Sequence, residues 1–243
     1  MLSNMLRTLV AIIIICAASS TTFAQGEERV VIDSDGWKII GDLHIPESSS
    51  PPPVVILLHT MWRGNRRVYD DLAVTLGEAG IASLRIDLRG HGESINKRKL
   101  PYGEVDNELV FDAWPDVNAA RKFLHNRTDV NTENLGIIAA SYSGNLASKA
   151  GVVDGFASFY VILASGIISP ESMIRMQMAE VPLLFVWAED DHTWAPKAAA
   201  FLKMRKYGEI WTYPEGGHAT ALLTSQPTLP DRLITWISGQ VSR

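Results

Sequence analysis

Residues Leu135 to Ala147 read LGIIAASYSGNLA. An apolar run stops at Ser141, and small residues then lead into a segment of helical spacing. In a parallel sheet, functional groups gather at the carboxyl ends of the strands. A serine on a sharp turn there projects its hydroxyl away from the backbone. Such a turn forces an unfavourable backbone geometry on the serine and brings the residues two before and two after it together. Only small residues fit at those places. Glycine is the commonest solution; here Ala139 and Ser143 take the two positions, and Gly144 adds room one residue later. The helix that follows aims its positive end at the serine, which favours a developing negative charge. Read alone, the segment is equally an ordinary strand–turn–helix with an N-cap serine.

The rest of the chain repeats the same alternation. Short branched apolar runs, VVILLH (Val54–His59), IASLRID (Ile81–Asp87), Phe156–Ala164 and Pro182–Ala188, are separated by stretches of helical spacing. That pattern predicts βαβ units and a parallel sheet. Helices are expected over Val68–Glu78, Asp112–His125, Ser143–Ala150, Ala195–Lys206 and Thr228–Ser238, and GEIWTYP is the last strand. The opening differs: RVVID, SDG and WKIIGDLHIP predict an antiparallel hairpin on an Asp-Gly turn. ESSSPPP reads as a linker that cannot pair in a sheet. Ser165–Val181 is too short for a large inserted lid.

Two further segments follow predicted strands. AEDDHTWAP places Glu189, Asp190 and Asp191 at a strand end, where a carboxylate can orient a histidine. YPEGGHAT places His218 behind two glycines, which let a loop fold back so that the imidazole can take and return a proton. Each alone also reads as a plain surface turn. Together they give the chain order serine, acid, histidine, one of the three well-known orders of a catalytic triad.

In these segments the chain resembles the α/β-hydrolase fold superfamily, in its small, lidless, bacterial-type esterase form. PPPVVILLHT, IDLRGHGES, IIAASYSGNLA, FVWAEDDHTWAP and YPEGGHAT carry the resemblance, in family order and over nearly all of residues 25–243. It implies a mostly parallel eight-stranded sheet with an antiparallel N-terminal hairpin, helices on both faces and no large cap. It further implies Ser141 as nucleophile, His218 as base and Asp191 as acid, with Asp190 the alternative. Asp191 is preferred because the family usually writes Gly-x-x-Asp, and Ala188 takes the glycine's place. Backbone N–H groups of Met61 and Tyr142 would form the oxyanion hole. The expected reaction is cleavage of a small-molecule carboxylic ester through an acyl-enzyme, with no metal or organic cofactor. Amide or lactone hydrolysis, acyl transfer, cofactor-free perhydrolysis and a non-catalytic binding role are the rivals the fold allows. The chain departs from the family at the elbow and at His59-Thr60, where His-Gly is usual; Thr60 is expected to narrow the site or reshape the oxyanion loop.

Composition fits a globular fold with a sizeable core. The chain has 243 residues, 47% hydrophobic and 20% charged, with a net charge of −5 that gives no reason to expect nucleic acid or an anionic membrane as partner. At the N-terminus Arg7 precedes LVAIIIICAA and then SSTTFAQ, the pattern of a secretory signal peptide cut after Ala24. The expectation is a secreted or periplasmic protein without a stable membrane anchor; an uncleaved anchor is the alternative. Cleavage would remove Cys16, the one cysteine. Nothing in the sequence sets the oligomeric state. His59 and His91 suit loop-holding roles, and NKRKL (Asn96–Leu100) suits a solvated surface. DSDG lacks the later ligands of a calcium loop. Trp62 is a candidate pocket residue, with Trp187 and Trp194 as weaker ones.

Overall fold

Asp35 and Gly36 both have positive φ, 54° and 74°. Two such residues in a row give the turn whose twist matches a right-handed hairpin. It joins β1 (Gly26–Ser34) to β2 (Trp37–Ile45) in antiparallel register from Ser34 opposite Trp37 to Gly26 opposite Ile45. The computed structural model describes residues 26–166 and 168–242, so the expected signal segment, 1–24, lies outside the described residues.

Six more strands follow: β3 (Pro53–Leu58), β4 (Ala82–Ile86), β5 (Asn131–Ala140), β6 (Phe159–Leu163), β7 (Leu183–Ala188) and β8 (Gly208–Tyr213). The sheet order is β1-β2-β4-β3-β5-β6-β7-β8. β2 runs against both its neighbours, and every pairing from β4 to β8 is parallel. The central strands are buried along nearly their whole length, as continuous apolar runs require when both faces are covered. The helices form two groups. α1 (Asp70–Glu78) packs with α7 (Leu229–Val241), and α2 (Trp114–His125), α3 (Ser143–Gly151), α4 (Pro170–Met178) and α5 (Ala195–Leu202) pack as a row. The short α6 (Ala221–Ser225) precedes α7. Between β6 and β7, α4 is the sole helix among the described residues, so no large cap covers the sheet.

Two expectations need correction. ESSSPPP is not wholly unpaired: Ser48 makes an isolated bridge and Pro53 begins β3. A proline is tolerated at the first residue of a strand. The helix expected to reach Lys206 stops at Leu202. Beyond it the Arg205 guanidinium turns inward and donates to the carbonyls of Met176 (2.6 Å), Val181 (2.5 Å), Ala179 and Tyr207. Burial lowers its pKa to about 10. That one side chain satisfies carbonyls at the end of α4 and on either side of β7.

Candidate active site

Ser141 follows β5 directly and has φ 59°, a left-handed conformation that a non-glycine residue rarely holds. The bend is fixed from both sides. Its N–H donates to Leu163 O at the end of β6, and its carbonyl accepts from Gly144 N in the first turn of α3. The side chain is therefore presented at the carboxyl edge of the sheet, beside the N-terminus of α3.

His218 comes from the loop after β8. Its Nε2 lies 2.8 Å from Ser141 Oγ and its Nδ1 lies 2.7 Å from Asp191 Oδ2. A carboxylate can only accept from the ring. Nδ1 therefore carries the proton, and Nε2 is left to accept from the serine hydroxyl. Asp191 is almost fully buried, and its second oxygen accepts from Thr193 N at 3.1 Å. The neighbouring Asp190 does different work. Its carboxylate accepts from Gly216 N (3.1 Å) and Gly217 N (3.0 Å) and so shapes the loop that carries His218. Those two backbone donors hold the Asp190 pKa below the ordinary carboxylate value. The geometry thus separates the two adjacent carboxylates: one orients the imidazole, the other orients its loop. His192, beside them, makes no side-chain hydrogen bond among the described residues.

No family model matches the chain. Solved structures do resemble it. Est1E from Butyrivibrio proteoclasticus, with ferulic acid bound, aligns with a TM-score of 0.73 at 17% identity, over 88% of this chain and 100% of that one. An esterase from Pyrococcus furiosus gives 0.69 at 16%, over 89% and 94%. A putative dienelactone hydrolase from Klebsiella pneumoniae gives 0.69 at 15%, over 89% and 99%. The chain has the α/β-hydrolase fold.

Within that fold the two departures at the elbow have specific consequences. Ser143 does not face the mouth of the site. It is fully buried, and its Oγ reaches Leu58 O (3.0 Å) and Ala140 O (2.8 Å) while accepting from Ala140 N (2.8 Å). Thr60 belongs to a tight turn in which Gly64 N donates to Met61 O at 3.3 Å. His59 stands at the base of this turn. Its Nδ1 donates to Thr60 O (2.7 Å) and its Nε2 accepts from Leu88 N (3.0 Å), which ties the turn to the segment after β4. Burial, with a smaller contribution from neighbouring His91, lowers the His59 pKa from 6.5 to about 3, so this ring is neutral. His91 donates from Nδ1 to Arg89 O and stacks on Tyr142, the residue after Ser141.

Several residues that shape the site were not singled out from the sequence. Buried Asp87 accepts from Arg66 N (2.7 Å), Arg66 Nη1 (2.6 Å) and Glu93 N (2.8 Å). Arg66 also pairs with Asp42 and Glu93, and Arg89 with Asp116. The Arg66 bonds to Asp87 and Glu93 lock IDLRGHGES against the loop after β3, Arg66–Asp42 ties that loop to β2, and Arg89–Asp116 ties the segment to α2. Gly166, just after β6, is the other. A methyl group on Gly166 would stand 2.5 Å from Ser141 Oγ and 2.9 Å from Tyr142 N, so this loop approaches the serine as closely as backbone can. Its signal in the sequence is a lone glycine after a strand. Trp62 lines a cleft beside the Thr60–Gly64 turn, whereas Trp187 bonds Thr212 and Trp194 is 46% exposed. Among the described residues no group of three or more His, Cys, Asp and Glu side chains converges as metal ligands would.

Proposed function

We propose that the protein is a serine hydrolase that cleaves carboxylic esters through an acyl-enzyme. One observation carries the reading: the unbroken hydrogen-bonded series Ser141 Oγ, His218 Nε2, His218 Nδ1, Asp191 Oδ2, with links of 2.8 and 2.7 Å. His218 takes the Ser141 proton as Oγ attacks the ester carbon. The carbonyl oxygen becomes an oxyanion, held by the N–H groups of Tyr142 and Met61. One such donor is worth roughly 3–4 kcal/mol of transition-state stabilisation. His218 then gives its proton to the leaving alkoxide, which departs as the alcohol. Water attacks the acyl-enzyme, losing a proton to His218, and the acid leaves as Ser141 recovers its proton. Asp191 stabilises the imidazolium formed in each half.

The α/β-hydrolase fold alone does not choose the acyl acceptor. The esterases among its structural relatives support the ester reading, as does the open edge left by the short segment between β6 and β7. The test is turnover of p-nitrophenyl esters by the wild type and by Ser141→Ala, with fluorophosphonate labelling of Ser141 in parallel. Loss of both in the variant is the expected result. Equal turnover in both proteins sinks the assignment.

A further inference from the structure

The Thr60–Gly64 turn has a second side. A cleft of about 790 Å³ lies there, bounded by Trp62 and Arg63 on the turn and by Lys99, Leu100, Pro101 and Tyr102 on the facing segment. Trp62 is held at φ 60°, a costly conformation for a bulky residue. Its indole N–H donates to Glu104 O at 2.6 Å, and its ring meets Tyr102 edge-on with centroids 5.8 Å apart. The Arg63 guanidinium lies 4.6 Å over the Tyr102 ring. Two aromatic faces and two cations thus share one cleft.

Neither cation is neutralised by a carboxylate among the described residues, although Arg63 lies over the Tyr102 ring. Of the carboxylates in the flanking segments, Glu93 is taken by Arg29 and Arg66, and Asp106 and Glu108 by Arg98; Glu104 makes no ion pair among the described residues, so two cations face one uncommitted carboxylate. Among the described residues neither Arg63 nor Lys99 makes an ion pair. In a chain of net charge −5, this is a local positive spot that can draw in an anion the whole molecule repels.

The cleft is also near Ser141. β3 and β5 pair Leu58 with Ala139, so Thr60 and Ser141 each lie two residues past a paired position. Trp62 is two residues further on, which puts its Cα within roughly 12 Å of Ser141, given the residue rise and strand spacing. A small ester spans that distance.

We propose that this cleft binds a carboxylate carried on a flat, unsaturated body, and that the preferred substrates are esters that bear such an anion away from the scissile bond. The flat part packs on Trp62 and Tyr102, and the carboxylate faces Arg63 and Lys99. The substrate part of this inference rests on Ser141 acting as the nucleophile; the binding part does not.

The test has two arms. In the first, mono(4-nitrophenyl) terephthalate and 4-nitrophenyl 4-methylbenzoate, alike in their flat acyl body and different in charge, are compared in the wild type and in the Arg63→Gln/Lys99→Gln double variant. The wild type is expected to show a KM roughly fivefold lower for the anionic ester at low salt, as two exposed charge contacts would give. The double variant brings the two KM values together, and so does added salt. No charge preference in the wild type, or one that survives the double substitution, overturns the proposal. In the second arm, tryptophan fluorescence of Ser141→Ala is titrated with benzoate and with benzamide. Quenching by benzoate that Arg63→Gln/Lys99→Gln abolishes supports the cleft even if no ester is turned over, and then the hydrolase reading alone fails. Ester turnover without charge preference, together with equal response to benzoate and benzamide, leaves the hydrolase reading standing and rejects the cleft.

Discussion

The Ser143 hydroxyl lies 3.0 Å from the Leu58 carbonyl oxygen, so the turn that carries Ser141 is pinned to the end of β3. Leu58 O also accepts from Tyr69 OH at 3.0 Å. β3 leads into the Thr60–Gly64 turn, and the two N–H groups proposed for the oxyanion hole, of Met61 and Tyr142, sit on the two segments that Ser143 joins. The serine that stands where glycine is commonest thus adds a bond between them and takes no space from the mouth. Ser143→Ala is expected to lower unfolding free energy by roughly 1–2 kcal/mol, the range for a lost buried hydrogen bond. The drop in kcat should exceed any change in KM. Denaturant midpoints and steady-state kinetics on a p-nitrophenyl ester check this; a variant with KM raised and kcat intact would place Ser143 at the mouth after all.

Asp190 and Asp191 are adjacent in sequence and separate in their bonds, so their amide variants should behave differently. Asp191→Asn removes the acceptor that fixes the His218 tautomer, and kcat should fall by roughly 10⁴-fold. Asp190→Asn keeps an acceptor for Gly216 N and Gly217 N, and the loss should be roughly tenfold at most. Comparable losses in the two variants would contradict the assignment of Asp191 to the ring.

Gly166 should not tolerate a side chain. Its φ is not positive, so alanine meets no backbone strain there, but the added methyl falls 2.5 Å from Ser141 Oγ. Either Oγ leaves its place beside His218 or the loop after β6 moves off the elbow. A displacement of about an ångström at a reacting atom costs roughly 10²-fold in rate. Gly166→Ala should therefore lose most of its kcat and its fluorophosphonate labelling while keeping its melting temperature within a few degrees. Wild-type labelling kinetics in the variant would show that the loop has slack.

How much of this was legible beforehand follows from the range of the interactions. Each member of the Ser141, Asp191 and His218 set sits just past a strand whose apolar run is local and readable, so position and order could be read from the chain. The hairpin turn at Asp35-Gly36 is also a local matter. Nothing local in the sequence marks Arg66 or Arg205 as buried; their burial depends on Asp42 and Asp87 in one case and on carbonyls near α4 and β7 in the other. These partners are remote in sequence. Gly166 was invisible for the same reason, since what it makes room for is Ser141. The short α6 lacks a full helical period of apolar residues.

The His59 ring provides a pH-dependent stability. In the fold its pKa is about 3, against 6.5 for the free ring, because burial disfavours the charged form and His91 adds to that effect. Its folded value is depressed, so between pH 6.5 and pH 3 the unfolded chain binds a proton that the folded chain does not. Stability from this group is complete above pH 6.5 and is lost as pH falls through that window, by an amount on the order of 4 kcal/mol at its lower end. Lowered by burial as well, the His91 pKa shifts in the same sense and adds to the slope. His59→Gln should cost stability at neutral pH, since the bonds to Thr60 O and Leu88 N are weakened, yet flatten the decline on acidification. Urea midpoints measured from neutral pH downward decide it. An acid limb as steep in the variant as in the wild type would assign the pH dependence to other groups.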